Sequence, residues 1–330
     1  TLDRLRRELL DERVDDGYWV GQLSPSALST ATAVSAMAAV AIHGGQPNQN
    51  QLVSAIQSGA DHLRRSQNSD GGFGDTDRSH SNIATSYLVL AASQLAGKVG
   101  VEALSDEQTD RLNDYIQRMG ASDALRRRYG TDKTFVVPIL TNLAIAELVS
   151  WNEVPALPFE AAVFPQSMYR LLRMPVVSYA IPALVAIGQA RHFLGRKTLA
   201  PIRLIRAAAV SRTMRVLQRM QPESGGYLEA MPLTSFVTMA LASTGQAHHP
   251  VVQRGLQCLR DTVRGDGSWP IDTNLATWAT SLAIHSLACD PDDGGDWCTA
   301  ALLDWHLGCQ HTKRHPFTGA EPGGWGWSDL

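Results

Sequence analysis

The stretch Gln67-Asn68-Ser69-Asp70-Gly71-Gly72-Phe73 decides the fold. It sets a Gln, a Gly four residues on, and an aromatic two residues beyond. Gln221, Gly225 and Tyr227 repeat the spacing. Arg13, Gly17 and Trp19 carry it with Arg in first place, and Val263, Gly267 and Trp269 carry it with Val. Gln310, Gly323 and Trp325 form a stretched copy. The glycines lie 54, 154, 42 and 56 residues apart. The longest gap is near three periods of about fifty residues, so one or two copies between residues 71 and 225 have decayed.

A second element follows the first. Asn82-Ile83-Ala84-Thr85, Asn142-Leu143-Ala144-Ile145 and Asn274-Leu275-Ala276-Thr277 are near-identical, and each is expected to open an apolar run rich in Ala and Leu. Asp75-Thr76 and Asp272-Thr273 stand just ahead of two of them, where Thr, Asn and Asp serve as helix N-caps. Period-2 alternation and Asn-Gly hairpin signals are lacking, so each repeat reads as helix, Gly-rich turn, helix. Helix pairs at a regular period must stack to bury their faces. Six pairs would close 330 residues into a ring of inner and outer helices, an all-α, α/α toroid; an open solenoid is the alternative. Within each turn, Gly permits positive φ. The aromatic is expected to cover the neighbouring helix end, and the Gln amide to bond orphan backbone groups at the start of the next helix.

Composition bounds the function. Apolar residues make up 44% of the chain and charged residues 18%, with a net charge of −3. No basic surplus speaks for a nucleic-acid binder. The charged, amphipathic stretch from Thr1 to Arg13 is unlike a secretory leader. Cys258, Cys289, Cys298 and Cys309 form no C-x-x-C and read as free thiols of a reducing compartment. No run reaches the roughly 20 apolar residues that span a bilayer. The nearest is Met174 to Gln189, with Pro175 and Pro182 inside it. It reads as a kinked core helix or as a surface that touches a membrane without crossing it.

The Gln-x3-Gly-x-Trp pattern resembles the repeat of squalene-hopene and oxidosqualene cyclases, the terpene cyclase/mutase family. Asp16-Gly17-Tyr18-Trp19-Val20-Gly21 resembles the family's N-terminal repeat. Phe164-Pro165-Gln166-Ser167-Met168-Tyr169, followed by Pro182-Ala183-Leu184-Val185, resembles a stretch of its smaller barrel. Pro322-Gly323-Gly324-Trp325-Gly326-Trp327 resembles the run just ahead of its D-x-D-D acid motif. The resemblance implies two packed barrels. Residues 1–40 and 301–330 would belong to one, and residues 41–300 would form the other. It also implies a proton-initiated cyclisation of squalene or a related polyprene, with no cofactor and no metal. The protein would work in the cytoplasm, peripherally on a membrane surface. The catalytic acid would lie downstream or on a partner chain carrying D-x-D-D. Asp290-Pro291-Asp292-Asp293 has that pattern, but its CDPDDGGD context reads as a loop.

Within this frame Asp75, Asp77 and Asp272 are candidate catalytic carboxylates, with N-capping as the competing role. Thr30, Phe164, Tyr169 and Trp278 are candidate cavity residues. Thr30 stands where the family often has a carboxylate, so the product need not be hopene. Asp296, Cys298 and His306 raise a zinc protein prenyltransferase as a further alternative, against which Cys298 and His306 stand eight residues apart. Arg203, Arg206, Arg212, Arg215 and Arg219 make a basic face, either solvated or turned to anionic headgroups or a diphosphate. A non-catalytic barrel that binds isoprenoid is the remaining reading.

Overall fold

The computed structural model describes residues 2–21, 23–45, 49–130, 133–171, 173, 180–195, 198–289, 295–314 and 319–329. Among these, every regular element is a helix, and the extended pairings are two isolated bridges, Ser26 with Trp269 and Gln310 with Trp325. The chain divides into two compact units. One comprises residues 24–164 and 177–271, the other residues 1–23, 165–176 and 272–330. The sequence reading set its breaks at 40/41 and 300/301.

The larger unit is a closed ring. Its inner helices are α2 (Ala27–Gly44), α4 (Ile83–Lys98), α7 (Lys133–Ile145), α9 (Ile181–Leu194) and α11 (Met231–Leu241). Each packs on the next, and α11 returns to α2. An inner helix has neighbours on every side, which requires small or apolar residues all round. In α2 this is met by Ala, Ser and Thr, and Thr30 to Val40 are entirely buried. Ser26 caps α2 by accepting from the Ser29 N–H, and Gly45 ends it at φ +50°. Helix α2 is also long and apolar enough to cross a bilayer, but it is 83% buried within the ring and so is a core helix. Counting continuous apolar runs misses it because Ser and Thr interrupt the run.

The outer helices are α3 (Gln49–Arg65), α5 (Asp106–Met119), α6 (Ala121–Tyr129), α10 (Ala200–Met220) and α12 (Pro250–Asp261). They are one-sided. In α3, Leu52, Ile56, Ala60 and Leu63 recur at helical spacing and are buried. Among the described residues five inner helices close the ring, against the six expected from length. The sixth helix of inner composition, α13 (Ala276–Leu287), belongs to the smaller unit. Asn142 departs from its expected place too: it is fully buried near the end of α7, which starts at Lys133, and does not open a helix. Its Nδ2 donates to Ser35 Oγ on α2 at 3.3 Å.

The smaller unit holds α1 (Leu2–Asp11), α8 (Gln166–Leu171), α13 and α14 (Ala300–Gly308). Trp19, Ala283, Leu287, Trp297 and Leu302 form its core. Tyr18 stacks on Trp305 with ring centroids 4.0 Å apart.

Candidate active site

The glycine turns share one construction. In four of them the backbone N–H of the aromatic donates to a Ser or Thr hydroxyl on a helix of inner composition. Phe73 donates to Ser86 Oγ at 3.0 Å and Tyr227 to Thr234 Oγ1 at 2.9 Å, each on the helix that follows in sequence. The other two exchange partners. Trp19 precedes α2 yet donates to Thr280 Oγ1 on α13 at 3.0 Å. Trp269 precedes α13 yet donates to Thr30 Oγ1 on α2 at 3.1 Å. Thr30 is fully buried in that joint.

The aromatic's polar atom serves the helix before the turn. Trp269 Nε1 donates to Leu259 O at 2.8 Å, Tyr227 Oη to Leu217 O at 2.9 Å, Trp19 Nε1 to Leu9 O at 2.6 Å and Trp325 Nε1 to His306 O at 2.6 Å. Each acceptor lies in the last turn of its helix, where carbonyls lack intrahelical partners. Gln67 Nε2 donates to Gly71 O at 3.0 Å and Gln108 O at 2.9 Å, and Gln221 Nε2 to Gly225 O at 2.8 Å and Val251 O at 3.0 Å. The amide therefore donates to carbonyls in the first turn of the next outer helix rather than satisfying that turn's orphan N–H groups. Gly71, Gly225 and Gly267 take φ of +88°, +83° and +81°. Each lies against the carbonyl of Arg111, Arg254 or Ser58, where a Cβ would collide.

The three candidate carboxylates have different settings. Asp75 is half-buried, and its Oδ1 accepts from Asn82 Nδ2 at 2.7 Å and from Thr85 Oγ1. Asn82 Oδ1 in turn accepts from the Thr85 N–H at 3.0 Å as the N-cap of α4. Asp75 thus holds the cap residue in place. Asp77 is exposed. Asp272 is half-buried, and burial pushes its carboxyl above the usual range. Asp290 to Asp293 lie outside the described residues.

Among the candidate cavity residues, Phe164 and Trp278 are more than half exposed, at 51% and 54%. Tyr169 is half-buried, and burial raises its hydroxyl pKa. Among the described residues, none of the three lines either of two hollows in the larger unit. The first, about 750 Å³ and wide open, is lined by Ala144, Glu147, Trp151, Leu194 and neighbouring loop residues. The second, about 170 Å³, lies between Val163 and α10 at Arg212, Arg215, Val216 and Arg219. Sequence reading singled out those arginines but passed over the first hollow, whose lining carries no motif. The prenyltransferase alternative gains no support: among the described residues no three His, Cys, Asp or Glu side chains come together to hold a metal. His306 stacks on Trp325, with ring centroids 5.4 Å apart.

No curated protein matches the chain. Among solved structures it is similar to a protein from Actinoplanes, at 17% identity and a TM-score of 0.32, covering 81% of each chain. It is also similar to the type II terpene cyclase MstE from Scytonema, both apo and as a variant in complex with merosterolic acid A. That likeness has 15% identity and a TM-score of 0.23, covering 94% of this chain and 79% of the other. Likenesses this distant say nothing about the site. The family described as squalene-hopene cyclase N-terminal domain matches residues 2–186, more than half of the chain. By that match the chain belongs to the squalene-hopene cyclase N-terminal domain family.

Proposed function

We propose that the chain is part of a class II terpene cyclase that acts on squalene or a related polyprene. It supplies one α/α barrel and part of the wall of the substrate cavity. Residues 1–23 and 272–330 belong to a second barrel. The reaction adds a proton to a terminal alkene or epoxide, lets successive double bonds capture the cation, and ends with loss of a proton. The family match over residues 2–186 carries this reading. Helix α13 supports it: its composition is that of an inner helix, yet Trp278 and Leu282 are 54% and 55% exposed. Such a face suits an apolar chain or a further inner helix. Polyprenes of this kind dissolve in bilayers, so the protein works peripherally on a cytoplasmic membrane surface, without nucleic acid or cofactor.

The catalytic acid comes from a downstream D-x-D-D segment or a partner chain. Protonating an alkene demands a protonated carboxyl in a dry site with hydrogen bonds that sharpen its acidity. Asp75 is engaged with a helix cap and Asp77 stands in water. Asp272 has its pKa raised by burial alone, with no hydrogen bond to sharpen its acidity among those of the described residues. A non-catalytic, isoprenoid-binding barrel is the second reading, favoured by the lack of a dry acid among the described residues.

The test is incubation with squalene in detergent micelles, with and without added downstream sequence, followed by gas chromatography of the lipid extract. Product only with the added sequence is expected. Product from the chain alone would return the acid to Asp75, Asp77, Asp272 or Asp290 to Asp293. No product in either arm would favour the binding module or another isoprenoid.

A further inference from the structure

Helix α10 carries Arg203, Arg206, Arg212, Arg215 and Arg219 and no acidic residue, in a chain whose net charge is −3. Arg206 is spoken for: it is buried, and its Nε meets both carboxylate oxygens of Glu160 at 3.2 Å. Arg212, Arg215 and Arg219 differ. They fall at i, i+3 and i+7, on one face of the helix. All three are exposed, and among the described residues none forms an ion pair. Together with Val163 and Val216 they surround the cleft of about 170 Å³. A whole small-molecule ligand needs about 300–1,000 Å³, so this cleft takes one end of a molecule. Three unpaired cations above an apolar floor call for an anion. The planar guanidinium fork, which all three share, matches phosphate oxygens in pairs.

We propose that Arg212, Arg215 and Arg219 form a binding site for a phosphate group, carried either by a lipid headgroup or by a free diphosphate. Glu160, three residues before Val163, is paired with Arg206 and does not line the cleft. Arg203 stands half a turn round the helix from Arg212 and takes no part. The exposed Leu204 and Ile205, about two turns before Arg212, offer an apolar strip to whatever the phosphate is attached to.

The test uses the full chain and three probes: inorganic pyrophosphate by calorimetry, phosphatidylcholine vesicles containing phosphatidylglycerol, and vesicles given the same surface charge with oleate. Each probe is offered to wild type, to the R212Q/R215Q/R219Q variant and to R126Q/R127Q/R128Q, which removes equal charge from an exposed run on α6. Circular dichroism verifies that both variants keep their helices. Binding to pyrophosphate or to phosphatidylglycerol vesicles is expected, weakened about tenfold or more in the α10 variant alone. Pyrophosphate binding identifies a free diphosphate as the ligand, and binding confined to vesicles identifies the headgroup. The proposal is overturned if neither phosphate probe binds. It also fails if oleate vesicles bind as well as phosphatidylglycerol vesicles, or if the α6 variant loses as much as the α10 variant.

Discussion

Trp269 donates its backbone N–H to Thr30 Oγ1 at 3.1 Å across 239 residues of chain. Both residues are fully buried, so the donor has no water to fall back on. Thr30→Val keeps the shape and removes the acceptor, which should cost about 1–3 kcal/mol. Thr30→Ser keeps the acceptor and loses one methyl, at about 0.8 kcal/mol. Urea titration ranks the two. Equal losses would mean that packing, and not the hydrogen bond, closes the ring. Thr280→Val, which orphans the Trp19 N–H in the same way, should repeat the pattern in the smaller unit.

Gly267 sits in the same joint at φ +81°, against the carbonyl of Ser58 on α3. Gly267→Ala meets two penalties: a left-handed conformation costing about 1–2 kcal/mol, and a methyl driven into backbone. A total loss above about 2 kcal/mol is expected. Gly265, two residues earlier, has no neighbour within 4 Å of a would-be Cβ and no positive φ. Gly265→Ala should stay within about 0.5 kcal/mol of wild type. Thermal unfolding of the pair separates turn geometry from a general dislike of bulk there.

Much of this was legible in the sequence, and the limits are physical. The glycine turns announce themselves because only Gly combines positive φ with a backbone approach that no Cβ allows. The closure of the ring does not. Phe73 and Tyr227 find their hydroxyls 13 and 7 residues away, whereas Trp19 and Trp269 reach 261 and 239 residues. Nothing in a local pattern says that the two have traded partners; the family resemblance marks Thr30 for the cavity and is silent on its bond to Trp269. Asn142 misled for a related reason: its neighbours copy those of Asn82, but α7 had already begun at Lys133. At the candidate site, Asp75 was recognised as a residue of a turn-to-helix junction. Its grip on Asn82 and Thr85 needed coordinates, because it depends on a loop folding back over seven and ten residues.

That grip makes a prediction of its own. Asp75→Ala strands the buried Thr85 hydroxyl, leaves Asn82 Nδ2 only its 3.3 Å bond to Thr85 Oγ1, and should cost about 1–3 kcal/mol. Asp75→Asn keeps one acceptor oxygen and should cost less than half as much. If downstream sequence confers cyclase activity, the Asp75→Asn rate per folded molecule should match wild type. An abolished rate with intact stability would make Asp75 the acid and overturn its assignment as support for the cap.

His249 ties stability to pH. Its Nδ1 accepts the Val251 N–H at 3.2 Å as the N-cap of α12, which requires the neutral ring. Burial holds its pKa below the usual value. A histidine depressed in the folded state binds its proton more readily when unfolded, where the pKa is about 6.5. Its contribution is therefore complete above that value and drains away as pH falls through it toward the folded pKa. His43, His62, His192 and His306 are depressed too, with burial the leading cause in each, and they add to the same slope. The melting temperature should accordingly drop between pH 7 and pH 5. His249→Asn replaces the ring with an amide that caps helices well and carries no proton. It should leave the melting temperature at pH 7 nearly unchanged and make the acid drop shallower. The same slope in variant and wild type would show that the cap survives protonation, with the pH dependence residing in the other four histidines.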